Sequence, residues 1–112
     1  MARLNNYRLS CVGVDDNGNR ARCTFFVYGV KNVEAARKVV RADNQRRKIM
    51  RRQKADWRTV TLRAVRCNKS GGVGATDRKA EEQIERQEQE QLDVLVNEWK
   101  VRTHWANVEK NA

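Results

Sequence analysis

Two stretches near the start of the chain alternate apolar and polar residues, as half-buried strands do. They are residues 7–14, Tyr-Arg-Leu-Ser-Cys-Val-Gly-Val, and residues 20–29, Arg-Ala-Arg-Cys-Thr-Phe-Phe-Val-Tyr-Gly. Asp15-Asp16-Asn17-Gly18-Asn19 between them is a hairpin signal. A two-residue Asn17-Gly18 turn sets Cys11 opposite Thr24. A three-residue loop, Asp16-Asn17-Gly18 with Gly18 left-handed, sets Cys11 opposite Cys23 and Leu9 opposite Phe25. We favour the second, because it gathers Leu9, Cys11, Ala21, Cys23, Phe25 and Val27 on one face, and a slip by one residue scatters them.

The apolar spacing then becomes helical. Asn32 caps a helix predicted from Val33 to about Ala55, with Val33, Ala36, Val39, Val40 and Ile49/Met50 as a stripe that thins after Asp43. Residues 57–67 alternate again and predict a third strand. Val60, Leu62 and Ala64 face the helix, and Trp57, Thr59, Thr61, Arg63 and Val65 face the other way. Its place beside either hairpin strand is open. Residues 68–76 form a Gly-rich linker. It is not a phosphate-binding loop, since Lys69-Ser70 precede the glycines rather than follow them. Thr76 or Asp77 opens a last long helix, acidic and Gln-rich at first. It later carries two stripes, Ile84-Leu92-Leu95-Trp99 and Val94-Val101-Trp105-Val108.

These elements predict an α+β fold: a three-stranded antiparallel sheet packed on one helix (β-β-α-β), a Gly-rich linker and a long C-terminal α-helix. The divisions are a basic unit at 1–67, the linker at 68–76 and the acidic-to-apolar helix at 77–112. The last helix covers the open face of the sheet, pairs with a second copy as a homodimer, or meets a foreign partner.

Charge sharpens this picture. The 112-residue chain carries a net +10. Residues 1–69 hold 18 Lys/Arg against 5 Asp/Glu, and residues 70–112 hold 6 against 9, so a basic body precedes an acidic helix. Such a body attracts DNA, RNA or an acidic protein surface. The densest run, Gln45 to Lys54, has six basic residues and no acid. Arg46, Arg47, Lys48, Arg51, Arg52 and Lys54 are therefore the first candidates for phosphate or acidic-partner contacts, supplemented from the sheet face by Arg20, Arg22 and Arg63. Phe26, Tyr28 and Trp57 on that face are candidates for base stacking. The competing reading makes them a small second core under the last helix. The acids at 81, 82, 85, 88 and 90 offer the basic run an intramolecular counter-charge. Trp99 and Trp105 are candidate anchors for a protein partner.

Other chemistry lacks its residues. His104 is the only histidine, and Cys11, Cys23 and Cys67 have no zinc-site spacing. No base sits near a nucleophile and no acid pair suits hydrolysis. We expect no enzyme, catalytic residue, metal, cofactor or small-molecule substrate. We also expect no membrane segment, and reduced thiols in a cytoplasmic protein.

The run Phe25-Phe26-Val27-Tyr28 leading into Asn32-Val33-Glu34-Ala35-Ala36, with the hairpin-helix-strand order of residues 7–66, resembles small accessory proteins of tailed bacteriophages. That resemblance implies a role in binding host machinery or nucleic acid to redirect or inhibit it, and it transfers no functional residue. The same element order occurs in GIY-YIG nucleases, but their Gly-Ile-Tyr sequence is missing here.

Overall fold

The structure, a computed structural model, describes residues 3–52, 55–56 and 61–110. Strands β1 (Asn5–Asp15) and β2 (Arg20–Val30) form the hairpin. Helices α1 (Val33–Ala42) and α2 (Asn44–Arg52) follow. Strands β3 (Ala55–Asp56) and β4 (Arg63–Cys67) come next, and helix α3 (Arg78–Lys110) ends the chain. The class is α+β, and its centre is β1: β2 pairs along one edge, and β3 and β4 share the other, all antiparallel.

The hairpin closes in the three-residue register, with Cys11 opposite Cys23 and Leu9 opposite Phe25. Local chemistry fixes it. The Asp15 carboxylate accepts hydrogen bonds from the backbone N–H groups of Asn17 (2.9 Å) and Asn19 (2.8 Å). Gly18 takes φ +81°, a left-handed conformation that a side chain makes costly. At the far end of the hairpin the register shifts at Asn6, whose side-chain oxygen accepts from Gly29 N–H (3.0 Å). Gly29 has φ +69°.

The sheet is covered on both faces. Tyr7, Leu9, Cys11, Cys23 and Val27 point to one side and pack with Ala36 and Val40 of α1, Met50 of α2, and Leu62. Val12, Val14 and Val65 are buried on the opposite, α3-facing side. The Asn32 side chain caps α1 by accepting from Ala35 N–H (2.9 Å).

Two expectations change. The single helix from Val33 to Ala55 is two helices. At Asp43 the backbone is extended, and the Asp43 carboxylate accepts from Gln45 N–H (2.9 Å), starting the chain afresh. The break lets α2 turn Met50 into the core, where a continuation with only Ile49 and Met50 to bury had little to hold it down. The third strand is also not continuous. Ser10 faces Arg63 and Val14 faces Asp56, so the returning chain carries extra residues between β3 and β4. Arg37 Nε donates to the Leu62 carbonyl (3.0 Å), so α1 holds the segment just before β4. Trp57, Thr59 and Val60 lie outside the described residues.

The linker is an ordered turn. The Asn68 side-chain oxygen accepts from Ser70 N–H, Ser70 Oγ and Gly72 N–H at 3.0, 2.6 and 2.9 Å. Helix α3 then runs about 50 Å along the sheet and past the hairpin turn, which makes the molecule elongated, 67 × 30 × 20 Å.

Leu9→Ala, at a fully buried site, is expected to cost about 3 kcal/mol in chemical denaturation. Gly18→Ala combines strain at positive φ with a Cβ 2.8 Å from the Trp99 ring. It is expected to destabilise by roughly 1–3 kcal/mol and to alter tryptophan fluorescence, because Trp99 must move.

Candidate nucleic-acid interface

The arginines of the sheet meet α3. Arg8 pairs with Glu81 (2.5 Å), Arg20 with Asp93 (2.8 Å), and Arg66 with Asp77 just before the helix (3.0 Å). Arg63 donates to the Gln91 side-chain oxygen (2.7 Å). Arg22 lies 3.1 Å from a Glu88 oxygen, within ion-pair reach but not aligned as a hydrogen bond. Glu88 itself is buried between helix and sheet. The acidic half of α3 is therefore the counter-charge of the sheet face, and not of α2 as the charge pattern had suggested. Arg20, Arg22 and Arg63, expected to supplement phosphate contacts, are all engaged in this layer. Arg8 and Arg66 belong to this layer as well.

The basic run sits on the other side of the sheet. Arg47, Lys48, Arg51 and Arg52 are exposed on α2, and among the described residues no acid lies within ion-pair distance of them. Arg46 is half-buried and donates to the Arg41 carbonyl (3.3 Å). Lys54 lies outside the described residues. Lys38 and Arg41 of α1 are exposed too and extend the surface upstream. Residues 33–52 hold eight basic residues and two acids, and both acids are committed locally. Glu34 pairs with Arg37 on its own helix, and Asp43 starts α2. The positive charge of this layer is thus almost uncompensated, and Val39 and Ile49 lie exposed among the bases.

The aromatic candidates separate. The Phe26 and Tyr28 rings stack in near-parallel planes, 6.5 Å between centroids, and each is about half exposed. Neither is buried by α3, so they are not a closed second core. The backbone of Gly71 approaches the Phe26 ring, leaving no room for a side chain. Tyr28 borders a shallow depression with Asn6, Gly29 and Lys69. Trp57 lies outside the described residues. Trp99 is used within the fold: its Nε1–H donates to the Asp16 carbonyl (3.1 Å), and its ring lies on Gly18. Trp105 stays 60% exposed.

Among the described residues no group of three His, Cys, Asp or Glu is placed to hold a metal ion, and no helix is long and apolar enough to cross a membrane. All three cysteines are free thiols. Burial pushes the Cys11 thiol up to about 12, with the neighbouring Cys23 adding to the effect. Burial raises Cys23 and Cys67 as well. Such thiols are poor nucleophiles at neutral pH.

What fold and surface define is a small α+β protein with an arginine-rich helical face and an acid-neutralised sheet. The chain matches no protein-family model, no curated protein and no solved structure.

The Cys11 shift has a definite sign. The folded state keeps the thiol proton to higher pH than the unfolded chain, so this contribution is intact below about 9 and is lost as pH rises towards about 12. Denaturant titrations across that range are expected to show a shallower alkaline loss of stability in Cys11→Ala than in the parent.

Proposed function

We propose that this chain is a non-enzymatic nucleic-acid-binding accessory protein that holds phosphates on α2 and the adjoining end of α1. The supporting observation is the sorting of charge between layers. The sheet arginines are met by α3, while Arg47, Lys48, Arg51 and Arg52 face solvent with no described acid beside them. A convex helix bearing charges around its outer half suits backbone contacts, which release counterions and do not discriminate sequence. Neutralising phosphates also relieves the mutual repulsion of bases crowded on a two-turn helix. Exposed Val39 and Ile49 favour a second reading, in which the same face grips an acidic protein surface and modulates a macromolecular complex.

Binding of a labelled oligonucleotide, followed against salt, tests the first reading. With four or five phosphates neutralised, log K is expected to fall with log salt with a slope of roughly −3 to −5. Arg47→Glu with Arg51→Glu is expected to weaken all sequences alike by at least about tenfold, while Lys79→Glu on α3 changes little. Affinity indifferent to salt and to the α2 double substitution overturns the reading. Capture of a protein from nuclease-treated lysate that depends on Arg47 and Arg51 favours the second.

A further inference from the structure

The outward face of α3 near its end is apolar, without a neighbour among the described residues. Val94, Val101, Trp105 and Val108 are 56, 56, 60 and 43% exposed. Three of them recur every seven residues, the spacing by which one helix meets another along a seam. Trp99, roughly opposite them on the helix, makes the last contact with the hairpin turn, so the strip continues beyond the body of the protein. Contiguous exposed apolar surface of this kind marks an interaction site.

We propose that the strip pairs with the same strip of a second copy, the two helices antiparallel and Val101 on the two-fold axis. Three features select a second copy. First, the strip is self-matching about Val101: Val94 of one chain comes against Val108 of the other. Second, it carries both a knob and its hole. Val94, Asn97, Glu98, Val101 and Arg102 border a shallow hollow between side chains on the helix surface. In this register each Trp105 falls opposite the partner's position 97, at the middle of that hollow. An isologous interface requires this reciprocity. Third, charges match across the axis. Glu98 and Arg102 lie on one flank of the strip and straddle Val101, so each Glu98 faces the partner's Arg102. In a parallel pair the same flanks lie on opposite sides of the seam, and these two charges do not meet. Because the overlap is confined to residues 94–108, the two bodies lie at opposite ends and do not collide. The α2 faces remain open, so the dimer presents two basic surfaces.

Sedimentation equilibrium of the full chain over a range of concentrations tests this. The expected result is a monomer–dimer equilibrium. Val101→Glu is expected to abolish it, and Trp105→Ala to weaken it at least about tenfold, as for a buried interface anchor. Both residues are exposed in the monomer, and an unchanged circular dichroism spectrum confirms folding. Orientation is read by oxidative cross-linking in a Cys67→Ser background. Val94→Cys is expected to cross-link with Val108→Cys when the two are mixed, and neither with itself. A monomer at all concentrations, a dimer indifferent to Val101→Glu, or a homotypic Val94→Cys cross-link overturns the proposal.

Discussion

The contact between the arginine-bearing face of the sheet and the acidic half of α3 governs how this molecule is arranged. Guanidinium groups do not tolerate a cover of purely apolar residues, because burying a charge without a partner costs several kcal/mol (roughly). Helix α3 answers with Glu81 and Glu88 seven residues apart on one row, and with Asp93 and Gln91 beside them. Each pair is partly solvated and contributes little alone. Together they set direction and register. The helix enters beside Arg8, runs with β1 past Arg22 and Arg20, and reaches the hairpin turn where Trp99 lands on Gly18. A slip by one residue turns Glu88 away from Arg22 and lifts Trp99 from the turn.

This arrangement decides which surface is electrostatically active. The protein carries a large positive charge, yet the sheet, which holds the interleaved arginines and aromatics, is compensated. The surplus is displaced to the layer on the other side, where Glu34 and Asp43 are already committed to Arg37 and to the start of α2. Long-range attraction of a polyanion is therefore directed at α1 and α2. Phe26 and Tyr28 occupy a separate corner, at the edge strand and beside the linker turn. Among the described residues they do not share a surface with the basic helix, so stacking on these rings and phosphate contacts on α2 fall on separate faces.

The parts legible in the sequence are those fixed by local chemistry. The hairpin register follows from Asp15 and Gly18 acting within five residues, and the α1 cap follows from Asn32 acting on Ala35. The two stripes of α3 follow from spacing alone. What escaped the sequence depends on partners far away in the chain. Arg8 and Glu81 are 73 residues apart, and nothing local says that the acidic helix meets the sheet and not the basic run. The break at Asp43 was visible only as a thinning stripe, because it is the position of the core beneath Met50 that makes a second helix preferable to a longer one. The linker's glycines suggested slack, but one side chain, Asn68, ties the turn through three hydrogen bonds.

The two tryptophans of α3 show how one helix serves two ends. Trp99 and Trp105 are less than two turns apart, and their fates differ because the body of the protein stops between them. Up to Trp99 the helix is held by the sheet and the turn. From there it continues for about 16 Å with nothing among the described residues beneath the outward strip. A helix end of that length, unsupported by packing, is marginal in water. Exposed valines and a tryptophan add apolar surface in contact with water without helping it. The acidic and Gln-rich residues are concentrated in the first half of α3, where the sheet already holds the helix in place, while the exposed valines and Trp105 fall in the second. Solubility alone does not ask for an apolar strip on the free part of the helix, and the strip is what a helix needs if its first half anchors it and its second half is completed by another molecule.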